Sequence, residues 1–147
     1  MSPDRTASLS HFVFMTLPNF TMIAFSNAVE VLRMANYLSG ETLYRWTVVS
    51  PDGGSVTASN GLAVETVPIA SLAQQPDVVF VCGGVDVQHS TTNTHLSELR
   101  RFARSGVALG SLCTGTYALA RSGLLDGYAC AIHWENLSAL KEEFPNT

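Results

Sequence analysis

Ser111, Cys113 and Gly115 form an S-x-C-x-G pattern between a short apolar run and the start of a helical one. Small residues two positions either side of a central nucleophile type are what a strand-to-helix elbow requires, because the turning residue is held tightly and its side chain is aimed beyond the sheet. The positive end of the helix that follows favours thiolate, so Cys113 is a candidate nucleophile. Twenty residues on, His133 is the natural base, and Glu135 completes an H-x-E pattern that could fix its tautomer, the logic of a Cys-His-acid site. Backbone amides at Thr114 and in the Gly83-Gly84 loop could stabilise an oxyanion or, equally, grip the carboxylate of a bound ligand. The plainer alternatives stand beside these. Free cysteine is commonly an inert buried hydrophobe, Glu135 is favourable at a helix start for electrostatic reasons alone, and His133 could be a strand-end residue satisfied by hydrogen bonds. Of the two tryptophans, Trp46 lies in a half-buried strand and is assigned to packing, whereas Trp134 could line a ligand crevice. A cation over such a ring gains about 0.5–2 kcal/mol. His11, His89 and His95 have no metal-ligand spacing, and no metal or cofactor is expected.

The elements that must position these residues follow from periodicity. "HFVFM" (11–15) reads as an apolar strand closed by Pro18-Asn19. A helix follows, with Asn27 and Glu30 at capping-box spacing and Ala28, Val31, Leu32, Ala35 and Leu38 repeating until Gly40. "YRWTVVS" (44–50), "SVTAS" (55–59) and "LAVETV" (62–67) read as extended runs, with Asn60-Gly61 as a hairpin signal between the last two. "DVVFV" (77–81) and "GVALGSL" (106–112) are continuous buried strands, each followed by a helix: one marked by Leu96, Leu99, Phe102 and Ala103, the other "TGTYALARSG" (114–123). "YACAI" (128–132) is expected as a further strand and "ENLSALKEEF" (135–144) as a last helix. Alternating strands and helices at this spacing give an α/β fold, a three-layer sandwich with a mainly parallel sheet, helices on both faces and a small antiparallel hairpin. In such sheets ligands bind beyond the carboxyl ends of the strands, where Gly83-Gly84, Cys113-Thr114 and His133-Trp134 are expected to converge.

Composition bounds the rest. The chain has 147 residues, the size of one domain, and only 14% charged residues against about 25% in ordinary globular chains. So little surface charge favours burial in an oligomer. No apolar stretch approaches the ~18 residues of a membrane span, and three cysteines without a CxxC pair indicate neither a disulfide framework nor a zinc cluster, so the chain reads as cytoplasmic. A net charge of −4 argues against a nucleic-acid grip, with Arg100, Arg101 and Arg104 read as the solvated face of one helix.

Taken together, "PNFTMIAFSNAVEVLRMANYLSG", "LYRWTVVSPDGG", "ASNGL", "VCGG", "CTGTYALARSGLLDG" and "IHWENL" resemble the amino-terminal domain of AraC-type transcriptional regulators with a class I glutamine amidotransferase-like (PfpI-like), flavodoxin-like fold. Within that group the chain looks most similar to regulators of amine and amino-acid catabolism. The resemblance implies a single domain over 1–147, shortened at its carboxyl end, that senses a small metabolite such as an amino acid or quaternary amine and pairs with a copy of itself. DNA would be bound by a carboxy-terminal helix-turn-helix absent from this chain. In the hydrolytic and deglycase-like relatives an acidic residue after the first strand partners the elbow cysteine; here Ala24 falls near that place, and no acid in "FTMIAFSNAV" replaces it. The implied site is therefore a vestigial one reused as an effector pocket, with Gly83, Gly84, Cys113, Thr114, His133 and Trp134 as ligand-binding candidates. The alternative is a cysteine hydrolase or deglycase-like enzyme with Cys113 as nucleophile, His133 as base and Glu135 as its acid.

Overall fold

The computed structural model describes residues 8–147. Its centre is a six-stranded sheet of β1 (His11–Thr16), β2 (Arg45–Ser50), β3 (Gly54–Thr57), β4 (Ala63–Pro68), β5 (Val78–Cys82) and β6 (Ala108–Leu112), in the order β3-β4-β2-β1-β5-β6. Every neighbouring pair is parallel except β3–β4, the expected hairpin. β4 then turns out of the hairpin to lie parallel to β2, so the antiparallel part is confined to one edge.

Side chains alternate between the sheet's faces, and each face has its own core. Val13, Met15, Val79 and Val81 pack with Leu99 and Phe102 of α3 (Asn93–Arg104) and with Tyr117 and Leu119 of α4 (Thr116–Arg121). Phe14 and Cys82 face the other way, onto Phe20 and onto Phe25 and Leu32 of α1 (Met22–Ser39). Three layers result. The short α2 (Val87–Ser90) precedes α3, and α5 (Leu137–Glu143) closes the chain, tied to α4 by the Tyr117 hydroxyl donating to Glu143 Oε2 at 2.7 Å. No helix of the described residues is long and apolar enough to cross a membrane.

Two expectations need correction, and one helix face needs comment. Asn27 and Glu30 form no capping box: α1 begins at Met22, so both lie inside it, and Glu30 instead pairs with Arg33 one turn on. The apolar repeat of α1 is only half buried, since Leu32 packs inward while Val31 and Leu38 are 68% and 76% exposed. The segment "YACAI" is not a strand. It pairs with no β-strand among the described residues and is held through Ile132, which packs on the core, and Ala131, whose carbonyl accepts from Thr116 Oγ1 at 2.6 Å. A short apolar run specifies burial of one or two side chains, and it forms a ladder only where a neighbouring edge accepts it.

Candidate functional site

β6 ends at Leu112, and the chain passes through one 3-10 turn, Cys113–Gly115, directly into α4. Cys113 itself has φ +55°, the left-handed region, as an elbow demands. For a residue with a Cβ this costs of order 1–3 kcal/mol, which the surroundings must offset. The surroundings are a three-way lock of backbone. Gly83 N–H donates to Leu112 O at 3.2 Å, Thr21 N–H donates to Gly83 O at 3.0 Å, and Val85 N–H donates to Asn19 O at 3.1 Å. Thr114 Oγ1, buried, donates to Gly84 O at 2.7 Å. The segments approach so closely that a Cβ on Gly83 would run into Gly115 N, and one on Gly84 would collide with Asn19 O. Only glycine fits at either place.

The residues after β5 and β6 therefore do converge on the elbow, although their hydrogen-bonding groups are largely spent on holding it. The Gly83 amide, one of the candidates for gripping a ligand, is satisfied internally, as is the Thr114 hydroxyl. The half-buried Cys113 sulfur has a partner that the sequence did not single out: Thr21 Oγ1, 3.3 Å away. Thr21 is the N-cap residue of α1, but its hydroxyl makes no capping bond and reaches the sulfur instead. A hydroxyl can donate to a sulfur or accept from its S–H, yet at neutral pH it cannot carry the charge or take up the proton as a carboxylate would. The one available signal was Thr21 as a cap-type residue at the start of the apolar periodicity, masked by the Asn27–Glu30 spacing.

His133 caps a second 3-10 turn, Trp134–Asn136, its Nδ1 accepting from Glu135 N–H at 3.4 Å and lying 3.7 Å from Glu135 Oε2. The H-x-E pair thus forms, but as a local cap. Its bonds run to Glu135 and not to Cys113, among the described residues. The hydroxyl chain Ser111–Thr116–Ala131 O, at 2.8 and 2.6 Å, nonetheless lays the segment leading to His133 against the start of α4. Trp134 stacks on His133, centroids 5.6 Å apart, and is 76% exposed, whereas Trp46 packs against the α1-side core. Cys82 is fully buried, and that burial pushes its thiol far up, out of reach of nucleophilic chemistry. The arrangement as it stands is a strained thiol held by a hydroxyl and lacking a bonded proton acceptor among the described residues, with the exposed Trp134 ring stacked on His133 at the head of the last helical segment.

A parallel sheet read at its carboxyl ends, with a left-handed cysteine after β6 braced by glycines after β5, defines an amidotransferase-like class. The chain belongs to the DJ-1/PfpI family, matching it over residues 13–145. It is 52% identical over 143 residues to the HTH-type transcriptional regulator GbdR of Pseudomonas aeruginosa, covering 97% of this chain and 39% of that protein. It is 41% identical to the HTH-type transcriptional regulator CdhR of the same species, over 91% of this chain and 40% of CdhR. Among solved structures, an AraC family transcriptional regulator from Pseudomonas putida superposes with a TM-score of 0.83 at 34% identity, covering 94% of this chain and 74% of that one. A ThiJ/PfpI domain protein from Brachyspira murdochii shares the fold with a TM-score of 0.72 at 14% identity, over 90% of this chain and 75% of its own. The likeness to the amidotransferase-like part of AraC-type regulators is thus shown, and the chain spans about two fifths of the length of these curated relatives.

Proposed function

We propose that this chain is the effector-sensing and dimerisation domain of a cytoplasmic AraC-type regulator of amine or amino-acid catabolism, and that it turns over no substrate. One observation carries the reading: the elbow sulfur is held by the Thr21 hydroxyl, where the catalytic alternative needs a base or an acid. Binding asks less than catalysis. On this reading a ligand lies on the elbow, with Cys113, Gly83, Gly84 and Thr114 as its floor and His133 and Trp134 as its rim, and what supports it is the exposed Trp134 ring, which offers a cation a face. DNA would be met by a helix-turn-helix part of the full-length protein. In this domain two of the three arginines of α3 are occupied, Arg101 on Glu98 and over Phe102, and Arg100 donating to Ser122 O. Pairing is assigned to the outward face of α1, where Ile23, Val31, Met34, Tyr37 and Leu38 are exposed at helical spacing.

The test is an assay for ester hydrolysis and deglycation alongside ligand-induced thermal shift. Saturable stabilisation by an amine or amino acid with no turnover supports the sensor. Turnover that disappears in Cys113→Ser overturns it in favour of the cysteine hydrolase.

A further inference from the structure

The elbow is one place on the carboxyl edge of the sheet; across β1 from it lies a cavity of about 390 Å³ at the ends of β1 and β2, lined in part by Thr16, Asp52, Thr92, Thr94 and His95. That volume is in the range of small-molecule sites. We propose that it is a second ligand site, which holds the carboxylate of a small zwitterion of the amino-acid or betaine type under the N-terminus of α3.

Two polar groups on its wall lack a partner among the described residues, and the first of them is a fully buried atom. Thr16, the last residue of β1, is 0% exposed, and its Oγ1 makes no hydrogen bond among the described residues. The neighbouring hydroxyls are spoken for, since Ser50 and Thr66 pair at 2.6 Å and Thr66 donates onward to Gly54 O. Leaving a buried hydroxyl unpaired costs about 1–3 kcal/mol, a penalty that a ligand in the cavity would remove. His95 is the second group. It closes a capping box with Thr92: the Thr92 N–H donates to His95 Nδ1 at 3.1 Å, and His95 N–H donates to Thr92 Oγ1. With Nδ1 an acceptor, the neutral ring carries its proton on Nε2. Burial keeps the ring neutral by holding its pKa below the ordinary value. Nε2–H then has no acceptor among the described residues, in a side chain on a residue only 4% exposed that lines the cavity.

These groups can all donate, and α3, twelve residues long, adds the amides and positive end of its first turn. An anion is what such a wall accepts. The charge on the remaining lining decides which anion. Asp52, in the turn between β2 and β3, is the one formally charged side chain there, and no lysine or arginine accompanies it. A phosphate would meet that carboxylate uncompensated, whereas a zwitterion carries its own cation to it. The site rests on the sensor reading only in that the domain binds a small metabolite.

Titration of this chain with glycine, arginine and trimethylglycine, with acetate and choline as the separate halves, tests the assignment by amide NMR shifts and calorimetry. The expected result is saturable shifts at Thr16 and Thr92–His95 with a zwitterion, weaker ones with acetate and none with choline. Thr16→Val is expected to weaken zwitterion binding at least tenfold without lowering the Tm of the free protein, because it replaces an unpaired hydroxyl by a methyl of the same shape. His95→Gln, which preserves a capping box, is expected to weaken binding as much. A merely structural Thr16 or His95 would leave affinity unchanged. Shifts centred on Cys113 and Trp134, with Thr16→Val silent, would remove this site and leave the sensor reading standing. Failure of every carboxylate to bind, or choline binding as well as trimethylglycine, overturns the site outright, and the assay for turnover lost in Cys113→Ser judges the sensor reading separately.

Discussion

At φ +55°, with Thr21 as the partner of its sulfur, Cys113 is held by backbone packing and a hydroxyl, and on the proposed sensor reading the strain there serves position. Serine keeps the size and the Thr21 contact. Cys113→Ser is therefore expected to change effector affinity by less than about tenfold, or 1.4 kcal/mol, in calorimetry, while Trp134→Ala weakens it if the ring meets the cation. Cys113→Val places a β-branched residue in the left-handed region and is expected to lower stability in urea unfolding by about 1–3 kcal/mol. Gly84→Ala is the harsher change, because its Cβ would overlap backbone at Asn19 and Phe20 that cannot rotate aside. We expect at least about 3 kcal/mol lost by the same measurement. The S-x-C-x-G spacing made the elbow legible, since it needs only local small residues. Thr21 was not legible as the sulfur's partner, because it lies 92 residues away in the chain and only the fold brings the two together.

Helix starts and strand ends were read with uneven success, and the reason lies in which signals are local. α3 announces itself through Leu96, Leu99 and Phe102, all buried as its periodicity required, yet the capping box that begins it uses a histidine at the third position, outside the usual glutamate or glutamine signature. "YACAI" carried strand propensity and found no neighbouring edge. The cap has a consequence for pH. His95 and His11 are both buried with pKa values held below 6.5: for His95 by burial, and for His11 by burial and then the Arg45 charge, against an opposing pull from Asp77. A base whose folded pKa is depressed contributes stability above its unfolded pKa and loses it as pH falls through the folded value. The exposed His89–Asp86 pair works in the opposite direction, but on the surface it has little weight. Thermal unfolding is thus expected to show a Tm that drops as pH falls from 7 towards 5. His95→Gln would flatten that drop, and an unchanged slope in this variant would show that the cap does not titrate.

For the molecule as a whole, the α/β class and its mainly parallel sheet were legible because continuous apolar runs such as Val78–Cys82 can be buried only with helices on both faces. The apolar repeat of α1 made the helix legible but not what covers it, since periodicity reports an apolar face alone, and its outward half is exposed. That face leads to an expectation about assembly: changing Tyr37 and Leu38, 73% and 76% exposed, to glutamate should turn a dimer into a monomer in sedimentation analysis without unfolding it. A wild-type chain that is monomeric at micromolar concentration, or a dimer indifferent to both charges, would remove α1 from the interface. The central claim, that this amidotransferase-like domain senses a metabolite and does not consume one, is tested most directly by calorimetry of the wild-type chain and Cys113→Ser with amino acids and betaines, run beside hydrolysis and deglycation assays. The expected result is saturable binding that survives the substitution and no turnover by either protein; turnover by the wild type that vanishes with the cysteine would contradict it.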